Sequence, residues 1–394
     1  MTNSAHRRSK RFKDVAANLV TLSISLLIGY VLLGGVMLAY GPAILWKPIN
    51  HFPTAVNIAW QASGPADSDE AYIAILGDSF AAGLGAWSVE RQSRTDPYYS
   101  GDVIASQLSR PVLSFGRGGL SSVGGLVTNP ARIMHADSCA LLRTPPPPSM
   151  LVVYFYEGND LNNNLKRLGA LPGQPVSTQR INDYITREAN SAKTVPCYRY
   201  VNYIVFNLIG GQIARLVNFT DREVAQSSES VVMDGRIVSI PDGLQGPALE
   251  LDNTSIATSL DVLDQSLKHL LASFPDTRVL MVDVPSALTL YSFVDDSVTS
   301  ETYHQGQSRQ PVSKIAPQSD YICNGLRKLA LRRGVGFFDA RPVLRKMAMK
   351  KKIHGPLDWK HLNRTGQTVL GQSVAEAIRD KLTDSGCAKL RSIN

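Results

Sequence analysis

Five short apolar runs constrain this chain most. They are "YIAIL" (72–76), "PVLSF" (111–115), "MLVVYFY" (150–156), "RVLMVDV" (278–284) and "VGFF" (335–338). Each is nearly continuous in apolar character and rich in β-branched or aromatic residues, as strands buried on both faces are. Helix-length segments lie between several of them. In 255–274, Leu260, Leu263, Leu267, Leu270 and Leu271 share one face, and near the end Leu370, Val374, Ile378 and Leu382 recur every four residues. Strands alternating with amphipathic helices predict a parallel sheet covered on both sides, an α/β fold.

Two stretches interrupt the alternation. Residues 161–254 form a long insertion after the third run, and within it Asp234-Gly235 between apolar alternations predicts a β-hairpin over 230–240. Residues 285–317 are polar and end in mixed Gln, Ser and Pro. Both follow the carboxyl ends of strands, where open α/β sheets bind ligands. Long segments there are expected to form lids or substrate walls. Pro145–Pro148 reads as a stiff connector into the third strand.

The amino-terminal region is organised differently. Residues 1–14 carry Arg7, Arg8, Lys10, Arg11 and Lys13 against Asp14, a net +4 out of +8 for the 394-residue chain. No charge then occurs until Lys47, and residues 16–40 are almost wholly apolar. A bilayer-spanning helix needs about 20 such residues. The expected organisation is a cytoplasmic basic arm (1–14), a transmembrane anchor (15–40), a linker (41–70) and a folded domain (71–388) on the far side of the inner membrane, in the periplasm. The basic arm sets that orientation. A cleaved signal peptide remains the alternative, although its apolar core is usually only about 7–15 residues.

Composition closes off some classes. The chain is 44% hydrophobic and 19% charged, which fits a globular protein and not a disordered one. No basic stripe interleaved with aromatics and no helix-turn-helix or finger spacing appears, so no nucleic-acid partner is expected. The four cysteines, Cys139, Cys197, Cys323 and Cys387, match no zinc pattern. Two disulfides in an oxidising compartment and buried free thiols are both open readings. No metal and no cofactor is expected.

The first strand opens onto "ILGDSFAAGLG" (75–85), which sets Ser79 at a strand mouth after a Gly-Asp turn. If a helix starts there, unpaired backbone N–H groups favour an oxyanion beside the hydroxyl, although an ordinary N-cap serine reads the same way. A nucleophilic serine needs a base, and the base needs an orienter. Among seven histidines, His361 in "GPLDWKHLNRTG" (355–366) has the most compact arrangement, with Asp358 three residues before it. That spacing can bring a carboxylate to Nδ1 and leave Nε2 to face Ser79. Two strand-end stretches offer oxyanion donors. One is "SFGRGGLSS" (114–122), a glycine loop lacking the Lys-Ser/Thr of a phosphate loop; the other is "YEGNDLNNN" (156–164), with Asn159.

Together these four blocks resemble those of the SGNH/GDSL hydrolases over residues 70–385, in order and in strand-end placement. The resemblance implies a three-layer α/β/α sandwich with a flavodoxin-like five-stranded parallel sheet, here preceded by one transmembrane helix. It implies Ser79 as nucleophile, His361 as base and Asp358 as its orienter. It also implies an oxyanion hole from the backbone N–H groups of Ser79 and Gly119 and the side-chain amide of Asn159, with Gly116 as second choice to Gly119. The chain departs from the family pattern at Ser114, where an Asn is usual, and at Glu157, where a Gly is usual. Ala81 instead of Gly disfavours an α/β-hydrolase elbow.

The implied reaction is acyl-ester hydrolysis. With the site outside the membrane, the expected substrate is an O-acyl, chiefly O-acetyl, ester of envelope or exported polysaccharide, and the anchored members of alginate O-acetylation type are similar by analogy. Expected partners are that ester substrate, the membrane and envelope polysaccharide machinery. An O-acetyltransferase on the same glycans uses the same residues. A lipase or lysophospholipase is a further alternative, disfavoured by the polar 285–317, and a non-catalytic tethered scaffold is another. The basic run "RKMAMKKKIH" (345–354) reads either as a solvated helix face or as a contact for an anionic glycan.

Overall fold

The computed structural model describes residues 15, 17–33, 35–36, 71–85, 90, 98–135, 146–171, 173–193, 228–302 and 306–390. In chain order the strands are β1 (Ile73–Leu76), β2 (Val112–Ser114), β3 (Met150–Tyr156), β4 (Ser228–Met233), β5 (Arg236–Pro241), β6 (Leu244–Gln245), β7 (Arg278–Val284), β8 (Ser292–Phe293), β9 (Ser297–Thr302), β10 (Gly306–Pro311) and β11 (Gly336–Asp339). The helices are α1 (Ser100–Leu108), α2 (Asn129–Met134), α3 (Asp160–Leu168), α4 (Thr178–Ala192), α5 (Asn253–Ser273), α6 (Ala287–Leu290), α7 (Ile315–Arg332), α8 (Arg341–Ala348) and α9 (Arg364–Arg379).

All five apolar runs become strands of one sheet, ordered β11-β7-β3-β1-β2, with every neighbouring pair parallel. Numbered within that sheet the order is 2-1-3-4-5, the flavodoxin-like arrangement. Alternation along each strand divides the core into two layers. Ile73 and Ile75 of β1 and Val152 and Tyr154 of β3 pack with Ile104 of α1 and Leu370 and Val374 of α9. Ala74, Leu76, Leu151 and Val153 pack on the other face with Leu263 and Leu267 of α5 and Leu326 of α7. The expected three-layer sandwich is therefore the observed one. Helix starts follow the sequence chemistry: Asp252 caps α5 by accepting from Ser255 N (2.7 Å), and Asn363 caps α9 by accepting from Gly366 N (3.3 Å).

The two insertions fold together. The predicted hairpin is β4–β5, and Asp234 (φ 50°) and Gly235 (φ 71°) both take the left-handed conformation of its tight turn. The polar 285–317 stretch is more ordered than its composition suggests. It supplies β8, which pairs with β4, and the hairpin β9–β10, whose β9 runs parallel to β6. Residues 194–227 of the first insertion lie outside the described residues.

Cys323 on α7 and Cys387 are joined in a disulfide. Cys139 and Cys197 lie outside the described residues. The segment after α9 is also held by Phe337 N donating to Thr383 O (3.0 Å) and by Arg327 paired with Asp384.

The expected anchor lies only partly within the described residues. Residues 17–33 are helical and present Leu19, Leu22, Leu26 and Leu32 exposed. Among the described residues no helix is long and apolar enough to cross a membrane. Residues 16, 34 and 37–40 of the expected span, with the arm and the whole linker, lie outside the described residues.

Candidate active site

Ser79 sits immediately beyond β1, 6% exposed, on a turn and not at the start of a helix. The turn closes with Ala82 N donating to Asp78 O (3.0 Å) and Leu84 N to Ser79 O (2.9 Å). Positive φ at Gly83 and Gly85 (67° and 131°) then turns the chain away, so the helix expected from Ser79 does not propagate. Gly77 makes the turn possible: a Cβ there would lie 2.6 Å from the Tyr154 carbonyl oxygen.

The glycine loop approaches this turn closely. A Cβ on Gly116 would sit 2.4 Å from Ala82 N. Ser114 donates to Ala81 O (2.5 Å) and accepts from Gly116 N (3.3 Å). Its short side chain thereby ties the glycine loop to the Ser79 turn. Gly119 follows in the left-handed conformation (φ 71°).

Asn159 lies at the carboxyl end of β3 as the cap residue of α3. Its side-chain amide hydrogen-bonds to Asp78, and its Oδ1 is buried without a partner. Glu157, two residues earlier, is fully buried. Its carboxylate accepts from Ser286 N (2.8 Å), Ser286 Oγ (2.9 Å), Thr289 Oγ1 and Ser319 Oγ (2.8 Å). Burial pushes its carboxyl up, opposed by the Thr289 hydrogen bond and the Arg341 charge. Arg341, itself buried, is paired with Asp339 (2.9 Å) and Asp320 (3.0 Å). Glu157 thus anchors the Asn159 loop to α6 and α7.

His361 stands on the turn before α9. Its Nδ1 lies 2.7 Å from Asp358 Oδ2, and Asp358 Oδ1 accepts from Lys360 N (2.8 Å). Burial works against the Asp358 charge, but hydrogen bonds and the charge of His361 outweigh it and hold the carboxyl below its ordinary range. The pair rests on the Ser79 turn. The His361 ring is 5.3 Å from the Phe80 ring, which stacks on Tyr156 at 4.1 Å. A Cβ on Gly85 would come 3.0 Å from His361 Cβ.

The structure therefore brings His361 onto Asp358, both onto the Ser79 turn, and Asn159 onto Asp78. It does not join Ser79 to His361 by a hydrogen bond: Ser79 Oγ donates to Asp78 Oδ2 (3.2 Å). Asp78 is the residue that sequence reasoning missed, although the acid beside the serine was in plain view. It is buried, and accepts from Ser79 Oγ, Phe80 N (2.9 Å) and Asn159. Burial pushes its carboxyl up, and the Phe80 N–H and the nearby His361 pull the other way.

On the His361 side a cavity of about 480 Å³ is lined by His361, Asp358, Trp359, Gln245, Asp242 and Glu301, among others. Its far wall comes from β6 and β9, so the insertions do form a wall of the candidate site. Lys360 crosses the rim to Glu301 (2.8 Å). Among the described residues, one group has potential metal-ligating atoms close together: Cys323, Asp339 and Cys387. Its two sulfurs are bonded to each other and offer no thiolate.

No family model and no curated protein matches the chain. Among solved structures it is similar to phospholipase A1 from Streptomyces albidoflavus at 14% identity, covering 79% of this chain and 99% of that one, with a TM-score of 0.37. It is similar also to a carbohydrate acetylesterase from Sinorhizobium meliloti (12% identity, 79% and 100% covered, TM-score 0.35). A third is an aryl esterase from M. smegmatis (14% identity, 79% and 100% covered, TM-score 0.34). At these identities and TM-scores the chemistry has to be read from the geometry of this chain itself.

Proposed function

We propose that this chain is a serine esterase of SGNH type that hydrolyses O-acyl esters, chiefly O-acetyl esters, of an envelope or exported polysaccharide. The observation that carries the reading is the Asp358–His361 pair at 2.7 Å, seated on the turn that bears Ser79. An acid-oriented imidazole beside a strand-end serine is the arrangement that nucleophilic acyl transfer needs.

In the proposed cycle the Ser79 hydroxyl rotates from Asp78 to His361 Nε2. Oγ bonds to the ester carbonyl carbon as its proton passes to His361. The carbonyl π pair moves onto oxygen, where the N–H groups of Ser79 and Gly119 and the amide of Asn159 receive it. The oxyanion collapses, the C–O bond to the sugar breaks, and His361 gives its proton to the departing hydroxyl. Water then attacks the acyl-enzyme by the same route, releasing the acid and restoring Ser79. Asp358, held ionised, keeps the imidazole oriented and stabilises its charged form.

The cavity beside His361 supports a carbohydrate alcohol over a lipid. Asp242, Gln245 and Glu301 offer hydrogen-bonding groups for hydroxyls, and Trp359 offers an aromatic surface. The proposal includes residues 15–40 as a membrane anchor that holds the domain on the periplasmic side. The charge-free run and the exposed leucines of 17–33 support it.

A serine-directed phosphonate probe on the full chain in detergent, followed by mass spectrometry, tests the reading. The expected result is a label on Ser79, with p-nitrophenyl acetate turnover lost in Ser79→Ala. A label elsewhere, or equal turnover by the variant, overturns it.

A further inference from the structure

Away from the candidate active site, the three-stranded sheet β5-β4-β8 has apolar side chains on both faces. The inner face packs on the core, with Val231 of β4 opposite Phe293 of β8 and both buried. On the outer face Ile237, Val232 and Ser292 form a row across the three strands. An antiparallel sheet with one solvated face normally makes that face polar. Here Ile237 is 70% exposed, and Val232, Val294 and Met349 are exposed with it. All four line one groove of about 1040 Å³, which the end of β10 and the residues after α8 help to wall.

The same groove holds charges of both signs. Asp234, Asp295 and Asp296 share its lining with Lys346 and Lys350, and none of these five side chains makes an ion pair or a hydrogen bond among the described residues. Ser292 Oγ, also in the lining, is buried without a partner. Exposed apolar side chains, unpaired charges and an orphaned hydroxyl in one place mark a surface that another molecule completes. The volume, at the upper end of small-molecule pockets, suits a chain segment. Three aspartates repel the phosphates of an anionic lipid surface. The patch does, however, complement itself. Ile237 projects beside a groove that needs an apolar filling, and the lysines match the aspartates of an identical patch. A patch of one sign would repel its own copy, whereas three acids and two bases can pair across a two-fold axis. Such an axis requires this reciprocity, since residue i meets j while j meets i.

We infer that this groove is the contact between two copies of the chain. Each β4–β5 hairpin enters the groove of the other copy, with Ile237 against Val232, Val294 and Met349. Lys346 and Lys350 of one copy face Asp295 and Asp296 of the other, and the incoming backbone supplies the partner that Ser292 Oγ lacks. The contact uses none of the residues around Ser79 and His361, and it stands whether or not the chain is an esterase.

Sedimentation velocity of the full chain in detergent, with bound detergent counted separately by interference optics, tests the inference. Wild type is expected to be a dimer at micromolar concentration, and Ile237→Asp should weaken that dimer about 10-fold or more. Lys346→Glu/Lys350→Glu sets acids against acids, and Asp295→Lys/Asp296→Lys sets bases against bases, so either variant alone should be monomeric. Mixed together, the two should form a heterodimer, because each of these contacts then joins opposite charges. That rescue also shows that both variants are folded. A monomeric wild type, a dimer that Ile237→Asp leaves unchanged, or a mixture that stays monomeric overturns the inference. So does a monomer that retains one phospholipid per chain by mass spectrometry and loses it in Ile237→Asp, which would make the occupant a lipid.

Discussion

His354 makes the stability of this fold depend on pH by an amount that can be worked out. The side chain is fully buried beneath the Asp358–His361 turn. Its Nδ1 lies 3.2 Å from the Tyr291 hydroxyl, which accepts in turn from Ile353 N, and its Nε2 has no hydrogen-bond partner. An imidazolium there would bury an N–H without an acceptor, so burial depresses the pKa from 6.5 to about 3, while the Asp358 charge opposes the shift. The unfolded chain takes up the proton first. Between those two values the unfolded state binds more protons, so stability is complete above about pH 7 and falls as the pH drops. With an unfolded value of 6.5, the loss is about 0.8 kcal/mol at pH 6 and about 2 kcal/mol at pH 5. Urea unfolding followed by fluorescence at pH 7.5 and pH 5.0, for wild type and for His354→Asn and His354→Phe, reads this directly. Either substitution will shift absolute stability, but the other six histidines are common to all three proteins and cancel in the comparison. The variants should lose about 2 kcal/mol less than wild type between the two pH values. Equal losses in all three proteins would refute the argument.

Glu157→Ala removes the acceptor for one fixed backbone N–H and three hydroxyls in a closed site, so urea unfolding should show a loss of about 3 kcal/mol or more, with kcat lowered as the Asn159 loop loosens. Unchanged stability would mean that the network does not hold that loop. Asp358→Asn should lower kcat on p-nitrophenyl acetate by about 10²-fold or more while leaving the melting temperature within a few degrees. In the wild type, the contribution of Asp358 persists to below the ordinary carboxylate range, because its folded pKa is depressed, and it disappears only as the pH falls through that lowered value. The Cys323–Cys387 bond closes a 64-residue separation, and the chain-entropy relation gives about 4 kcal/mol for such a loop. Cys323→Ser should therefore lower the urea midpoint markedly, and a midpoint that does not move would show that the rest of the fold already restrains the tail.

The sequence by itself determined the central sheet, its two-faced core and the chain segments that reach its carboxyl edge. Strands such as 150–156 and 278–284 are visible because a strand buried on both faces must be apolar at every position, and that is a local property. The Asp358–His361 pair was readable for the same reason, since three residues of one turn fix their spacing. The anchor stretch was visible as a charge-free run, and only part of it lies within the described residues. Other features were set by contacts between distant segments. The turn at Ser79 does not continue as a helix, because Gly83 and Gly85 take conformations that pattern alone does not reveal. The resting hydroxyl faces Asp78, a choice made by the burial of that carboxyl and the approach of Asn159. Glu157 could be seen only as a departure from a family pattern; its four partners come from α6, the turn before it, and α7, more than a hundred residues away. Periodicity and spacing report what one segment needs, whereas the direction of a buried polar group depends on which other segments surround it.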